Sequence, residues 1–281
     1  RVASNDEQRA ELGTFLRTRR GRLLRTELGL PPAGRTRTTG LRREEVALLS
    51  GVSTTWLTWL EQGRDINPSR QVIEAVATTL RLTPHELDYV LALAGYASAR
   101  PRISSAPTAL AHHHQRLLDA QVGAPSFMLA ADWTIIGWNP AYEALYPGVA
   151  GLPADQRNLL WVTFTDPFVR AMLPDWESTS RHFLAEYRAE VTGLLGRPEH
   201  LDLVRRLREH SHEFAEAWAE HHVQRFSSRT RTFHHPVAGT LIFEQHSLTP
   251  SDAPDSHVVI YLPEPTSSTQ HAMTALLTSD L

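Results

Sequence analysis

The residues of this chain best equipped for chemistry lie between positions 42 and 64. Thr54, Thr55, Thr58 and Trp59 recur at a spacing that puts them on one face of a helix, with Leu57 and Leu60 turned inward. A threonine hydroxyl reaches base edges or phosphates, and its methyl touches thymine. An outward Trp59 packs on sugar or a thymine methyl, or else seals a protein surface. Ser53, Arg42, Arg43 and Arg64 supply donors for phosphates, contacts that set register on a duplex without reading its sequence. Arg35 and Arg37 sit in a basic loop between Gly34 and Gly40, within reach of a backbone or minor groove.

A second set of residues is aromatic. Trp138, Phe164, Phe168, Trp176, Phe214 and Trp218 are spread over the C-terminal half, where they read as core or as the wall of an apolar ligand pocket. On a helix over about 211–222, Phe214, Trp218 and His221 fall at i, i+4 and i+7, so His221 would meet the end of an apolar ligand. Arg157, Asn158 and Arg170 are the other candidates for a ligand carboxylate.

Two further chemistries are set aside. The run His112-His113-His114 and the pairs His221-His222 and His234-His235 invite a metal reading, but no His-Glu-x-x-His pattern occurs. The triple stands at a predicted helix start, where side chains are expected to diverge, so no metal site is assigned. There is no Gly-rich phosphate loop after a strand, no Gly-x-Ser-x-Gly elbow and no recognisable catalytic set, which argues against an enzyme.

The elements that must position these residues are helices. Ala47 is small where two helices cross, Gly51 stands at a sharp turn, and Val46, Val52, Leu57 and Leu60 close a small core. Ser53 is a suitable N-cap. Together they predict a helix-turn-helix over 43–62. A first helix is expected over about 6–25, with Leu12, Phe15, Leu16, Leu23 and Leu24 inward. Asn67-Pro68 opens another helix, and Thr83-Pro84-His85-Glu86, at capping-box spacing, opens a fifth. Five short helices of this kind resemble the phage-repressor (Xre-type) DNA-binding domain.

Charge is uneven. Residues 1–100 carry 15 Arg and 11 acids, a balance of +4; the remainder carries 13 Arg and 20 acids, a balance of −7. The net −3 therefore conceals a basic N-terminal module of the sort that phosphates attract. The 281 residues suit two domains, and the absence of cysteine excludes disulfides and thiolate metal sites. With no long apolar run and no signal-peptide pattern, a soluble cytoplasmic protein without a membrane partner is the expectation.

Residues 99–109 read as a Ser/Ala/Pro-rich linker. Beyond them come two short strands at 126–130 and 133–138 around a turn at Ala131-Asp132, and a helix capped by Asn139 with Pro140 at its first position. Helices follow near 155–163, 166–173, 175–193, 199–209 and 211–221, then strands near 223–234, 237–248 and 256–262. The order predicts an α+β domain, an antiparallel sheet with helices on one face. Its opening, hairpin then Asn-Pro-Ala helix, resembles a PAS domain.

The pieces Gly-Leu-Arg-Arg-Glu-Glu-Val-Ala (40–47), Leu-Glu-Gln-Gly-Arg (60–64), Asn-Pro-Ser (67–69), Trp-Asn (138–139), Arg-Asn-Leu-Leu (157–160), Phe-Thr-Asp-Pro (164–167), Asp-Trp-Glu (175–177) and His-Pro-Val (235–237) resemble the MmyB-like family of actinobacterial transcription regulators. That resemblance implies an Xre-type domain over 1–98, a PAS-like ligand domain over 110–265 and a C-terminal helix or tail over 266–281. It implies a homodimeric regulator on a palindromic double-stranded operator, with a small apolar ligand such as a fatty acid and no other cofactor. The alternative is a protein-interaction module that uses the fold without DNA. In the recognition helix, Trp59 stands where the family usually carries an arginine, so the target sequence should differ from that of typical relatives.

Overall fold

Apolar residues at helical spacing in the first 22 positions build the longest helix, α1 (Val2–Arg22), which buries Leu12, Phe15 and Leu16. Leu23 is also buried, but Leu24 lies past the helix end and is 48% exposed, unlike the inward position expected for it. The computed structural model describes residues 2–31, 40–96, 110–223 and 229–279. Arg35, Arg37 and the 99–109 stretch lie outside the described residues.

Four more helices complete the N-terminal bundle: α2 (Arg43–Ser50), α3 (Thr54–Glu61), α4 (Arg70–Thr79) and α5 (Pro84–Leu93). Each start has a local cause. Ser53 accepts from the Trp56 N–H, and Thr83 accepts from Glu86, whose carboxylate returns a bond to the Thr83 N–H. The Glu45 carboxylate likewise accepts from the Arg42 N–H at the start of α2. The fourth helix begins later than expected. Ser69 is its cap, accepting from the Val72 N–H, so Pro68 precedes the helix. The core gathers Leu12, Phe15, Leu16, Val46, Ala47, Leu57, Leu60, Ile73, Val76, Tyr89 and Val90.

The C-terminal part carries α6 (His112–Asp119), β1 (Ser126–Leu129), β2 (Ile135–Trp138), α7 (Pro140–Leu145), α8 (Leu159–Thr165), α9 (Pro167–Met172), α10 (Trp176–Glu190), α11 (Pro198–His210), α12 (His212–Ala219), β3 (Arg229–His235), β4 (Gly239–Leu248), β5 (His257–Pro263) and α13 (Thr269–Ser279). The strands form one antiparallel sheet in the order β2-β1-β5-β4-β3. Register sorts its side chains. Phe127 pairs with Val259, and Phe127, Phe243, Phe233 and Tyr261 make ring contacts, with Phe127 also meeting Tyr142 of α7. The alternate residues Met128, Val258 and Ile260 pack with Leu118 of α6. Helices therefore cover this sheet from both faces rather than the one expected, because Phe127 and Met128 are apolar on opposite sides of β1, with α7 on the first and α6 on the second.

Two compact units divide the chain. The first comprises Arg1–Pro101, Arg188–Asp202 and Glu216–Arg225; the second comprises Arg102–Tyr187, Leu203–Ala215 and Phe226–Leu281. The helix α13 belongs to the second unit, where Met273 is buried and Thr269 Oγ1 accepts from the Ile242 N–H of β4. The chain thus returns twice to the helical bundle after leaving it.

Candidate functional site

Between α2 and α3 the chain turns at Gly51, whose φ of 70° is left-handed and costs a glycine nothing. The Val52 N–H then bonds the Ala47 carbonyl at 3.0 Å, closing the turn. Leu57 and Leu60 are buried while Ser53, Thr55 and Trp59 are exposed, and Thr54 and Thr58 are half-buried. The four expected reading residues therefore share an outward side. Two hydroxyls already have a local role. Ser53 Oγ caps α3, and Thr58 Oγ1 donates to the Thr54 carbonyl at 2.8 Å.

The arginines divide. Arg42 is exposed at the entry to α2. Arg64 is exposed, donates to Gln62 Oε1 at 2.9 Å and stands 5.8 Å from the Trp59 ring. Trp59, 39% exposed, is thus the aromatic half of an outward pair with a cation. Arg43 differs from the expectation of a phosphate clamp. Its Nε donates to Glu61 Oε2 at 2.6 Å, and Glu61 also accepts from Arg20 Nε at 2.6 Å and Nη2 at 3.0 Å. The Glu61 side chain is 1% exposed. This carboxylate between two arginines locks α1, the start of α2 and the end of α3 together, a role sequence reading missed. Its signal was an acid at an inward position beside Leu57 and Leu60.

The helix α1 passes close to α3 at Gly13. A Cβ there would lie 2.6 Å from the Glu61 carbonyl oxygen and 2.7 Å from that of Leu60. Glycine is required at this crossing by lack of space.

The candidate ligand residues do not form one group. Phe164 meets Phe214 and Trp176 edge-on at 5.1 and 5.9 Å, and Trp176 Nε1 donates to the Thr163 carbonyl. Phe168 packs on Tyr146 at 6.0 Å. Trp138 lies apart, donating to Glu143, with the Arg157 guanidinium 5.2 Å from its ring. The three carboxylate candidates have structural partners. Asn158 caps α8 and donates to the Asp132 carbonyl; Arg157 donates to the Leu152 carbonyl; Arg170 stacks on Trp176 at 3.9 Å and pairs with Glu213, holding that carboxyl below its usual range.

Trp218 and His221 belong to the first unit, whereas Phe214 belongs to the second. The single helical face expected over 211–222 is not formed, because α12 ends at Ala219 and His221 has a φ of 53°. His221, 2% exposed, instead bonds Glu11 Oε1 through Nδ1 at 2.9 Å and meets Phe15 edge-on. Tyr89 donates to the same Glu11 oxygen at 3.0 Å, and the fully buried Arg188, stacked 4.1 Å from the Trp218 ring, has Nη2 3.9 Å from it. Burial pushes the Glu11 carboxyl up, but the His221 bond, the Arg188 charge and Tyr89 outweigh it and hold it below its ordinary value. Burial pushes the neighbouring His200 down to about 4, so it stays neutral.

Residues 110–277 match the MmyB-like transcription regulator ligand binding domain, and residues 11–90 match a helix-turn-helix domain. The chain belongs to the MmyB-like transcription regulators. No curated protein matches it. In this MmyB-like regulator the segments 188–202 and 216–225, which lie inside the ligand-domain match, fold with the helix-turn-helix unit. Among the described residues no helix is long and apolar enough to cross a membrane.

Proposed function

We propose that this regulator reads double-stranded DNA with α3, using Thr54, Thr55, Thr58 and Trp59 at base edges and Arg42, Arg64 and Ser53 at phosphates. The observation that carries the reading is the outward placement of those four residues on a helix whose other face is locked by Leu57, Leu60 and Glu61. A rigid helix presents side chains in a fixed pattern, which base-edge recognition needs. Arg43 serves chiefly as the brace on Glu61. A homodimer on a palindrome would set two copies of α3 about 34–36 Å apart, one turn of duplex.

The second unit is the sensor for a small apolar molecule of the fatty-acid kind, with Phe164, Phe168, Trp176 and Phe214 as its aromatic contacts. Coupling follows from chain continuity: α10, α11 and α12 each carry residues of both units, and Arg188, His200, Trp218 and His221 sit in the DNA-binding one. A ligand that shifts these helices biases α1 through Glu11. Couplings of this sort are about 1–3 kcal/mol.

Footprinting on the DNA beside its own gene tests the first half. Protection of a symmetric site supports the reading, and no protection on any duplex favours the protein-interaction alternative. Mass spectrometry of solvent extracts from purified protein tests the second half. An extracted long-chain acid that changes operator affinity supports it; equal affinity with and without that acid refutes the coupling.

A further inference from the structure

The histidine run at the start of α6 converges, against the divergence expected of it. His113 Nε2 lies 2.6 Å from Asp252 Oδ2 and His114 Nε2 lies 3.2 Å from Asp252 Oδ1, with the imidazole centroids 4.1 Å apart. One donor atom from each residue falls within 4.8 Å of the others. We propose that His113, His114 and Asp252 form a binding site for a divalent transition-metal ion of the zinc type, which clips the start of α6 to the loop between β4 and β5.

Two nitrogens and one carboxylate oxygen suit zinc, cobalt(II) or nickel(II), whereas calcium and magnesium prefer all-oxygen shells. Tetrahedral zinc at bond lengths of about 2.0–2.2 Å places its donors roughly 3.3 Å apart, so small rotations of side chains already in contact suffice. Each imidazole now directs Nε2–H at the carboxylate. On binding, each Nε2 lone pair faces the ion and the ring proton resides on Nδ1. Water fills the fourth position.

The scaffold on either side is fixed. Leu118, one turn along α6, is fully buried in the same apolar cluster as Ala253, the neighbour of Asp252. The loop holds itself through Ala253 N–H to the Pro250 carbonyl and Ser256 N–H to the Ala253 carbonyl. His114 is 8% exposed, while the His113 and Asp252 side chains are 62% and 54% exposed, which gives an ion a path in. Since α6 is the first element after residues 97–109, a metal here would anchor the chain where it enters the second unit.

Calorimetric titration of the untagged full chain with zinc chloride, after chelator treatment, tests this. One ion per chain is expected, with a rise in melting temperature and, for cobalt(II), the visible bands of a four-coordinate site. Asp252→Asn and His113→Ala replace exposed side chains and should each weaken binding by at least about tenfold, the loss typical of even an outer-shell change. His112→Ala should leave it unchanged. Wild-type affinity in Asp252→Asn would mean that the histidine run alone holds the ion and would overturn the site, as would failure of the full chain to take up zinc stoichiometrically.

Discussion

Removing the Glu61 carboxylate tests the internal brace of the DNA-binding unit. In Glu61→Ala, three charge-assisted bonds disappear, two from Arg20 and one from Arg43. Arg20 keeps its bond to the Leu41 carbonyl at 2.9 Å, but its side chain is 14% exposed and faces a second guanidinium with no anion between them. Breaking a buried pair from one side costs about 3–5 kcal/mol. The Arg43 side chain is 38% exposed, so water screens that half and the lower end, about 3 kcal/mol, is expected. Arg43→Ala should cost only about 1 kcal/mol, because the bidentate Arg20 bridge survives. Urea unfolding followed by circular dichroism gives both values, and the double variant gives their coupling, expected near 1 kcal/mol. A cost for Glu61→Ala below that of Arg43→Ala, or zero coupling, would refute the brace.

Three further outcomes follow from the same geometry. Gly13→Ala drives a Cβ against the carbonyls of Leu60 and Glu61 and should destabilise by about 1–3 kcal/mol, read as a lower urea midpoint. Arg64→Ala should lower affinity for every duplex and reduce the salt slope by about one unit in a binding titration; an unchanged slope removes Arg64 from the phosphate contacts. His200, buried near Glu11 and Arg188, has a folded value of about 4 against 6.5 for the free side chain, so the unfolded state binds its proton first. Its stability contribution is full above pH 6.5 and is lost as pH falls toward 4, at about 1.4 kcal/mol per pH unit. Between pH 7 and 5 the first unit should lose about 2 kcal/mol, and His200→Gln should flatten that slope in pH-dependent melting.

The helix-turn-helix was legible in the sequence because its determinants are local. Gly51 meets a turn, Ser53 and Thr83 meet helix starts within three residues, and Leu57 and Leu60 alternate with Thr54, Thr55, Thr58 and Trp59 at the helical period. The strand–helix order of the second unit was legible for the same reason, through Asn139-Pro140 and the β-rich runs. Strand order was not, since pairing of β1 with β5 spans more than a hundred residues. Nor was the role of Glu61, which depends on Arg20 arriving from 41 positions away.

His221 shows the limit most clearly. Periodicity alone aligned it with Phe214 and Trp218, yet the helix ends at Ala219 and His221, itself left-handed, meets Glu11, 210 positions earlier. His113 and His114 meet Asp252 by the same kind of long-range approach. What composition and spacing determined was which segments become helices and strands and which sides are apolar, because those depend on neighbours within a turn or two. Which distant charges share one buried partner was decided only by tertiary folding, because the free energy of a buried ion depends on the three-dimensional company it keeps.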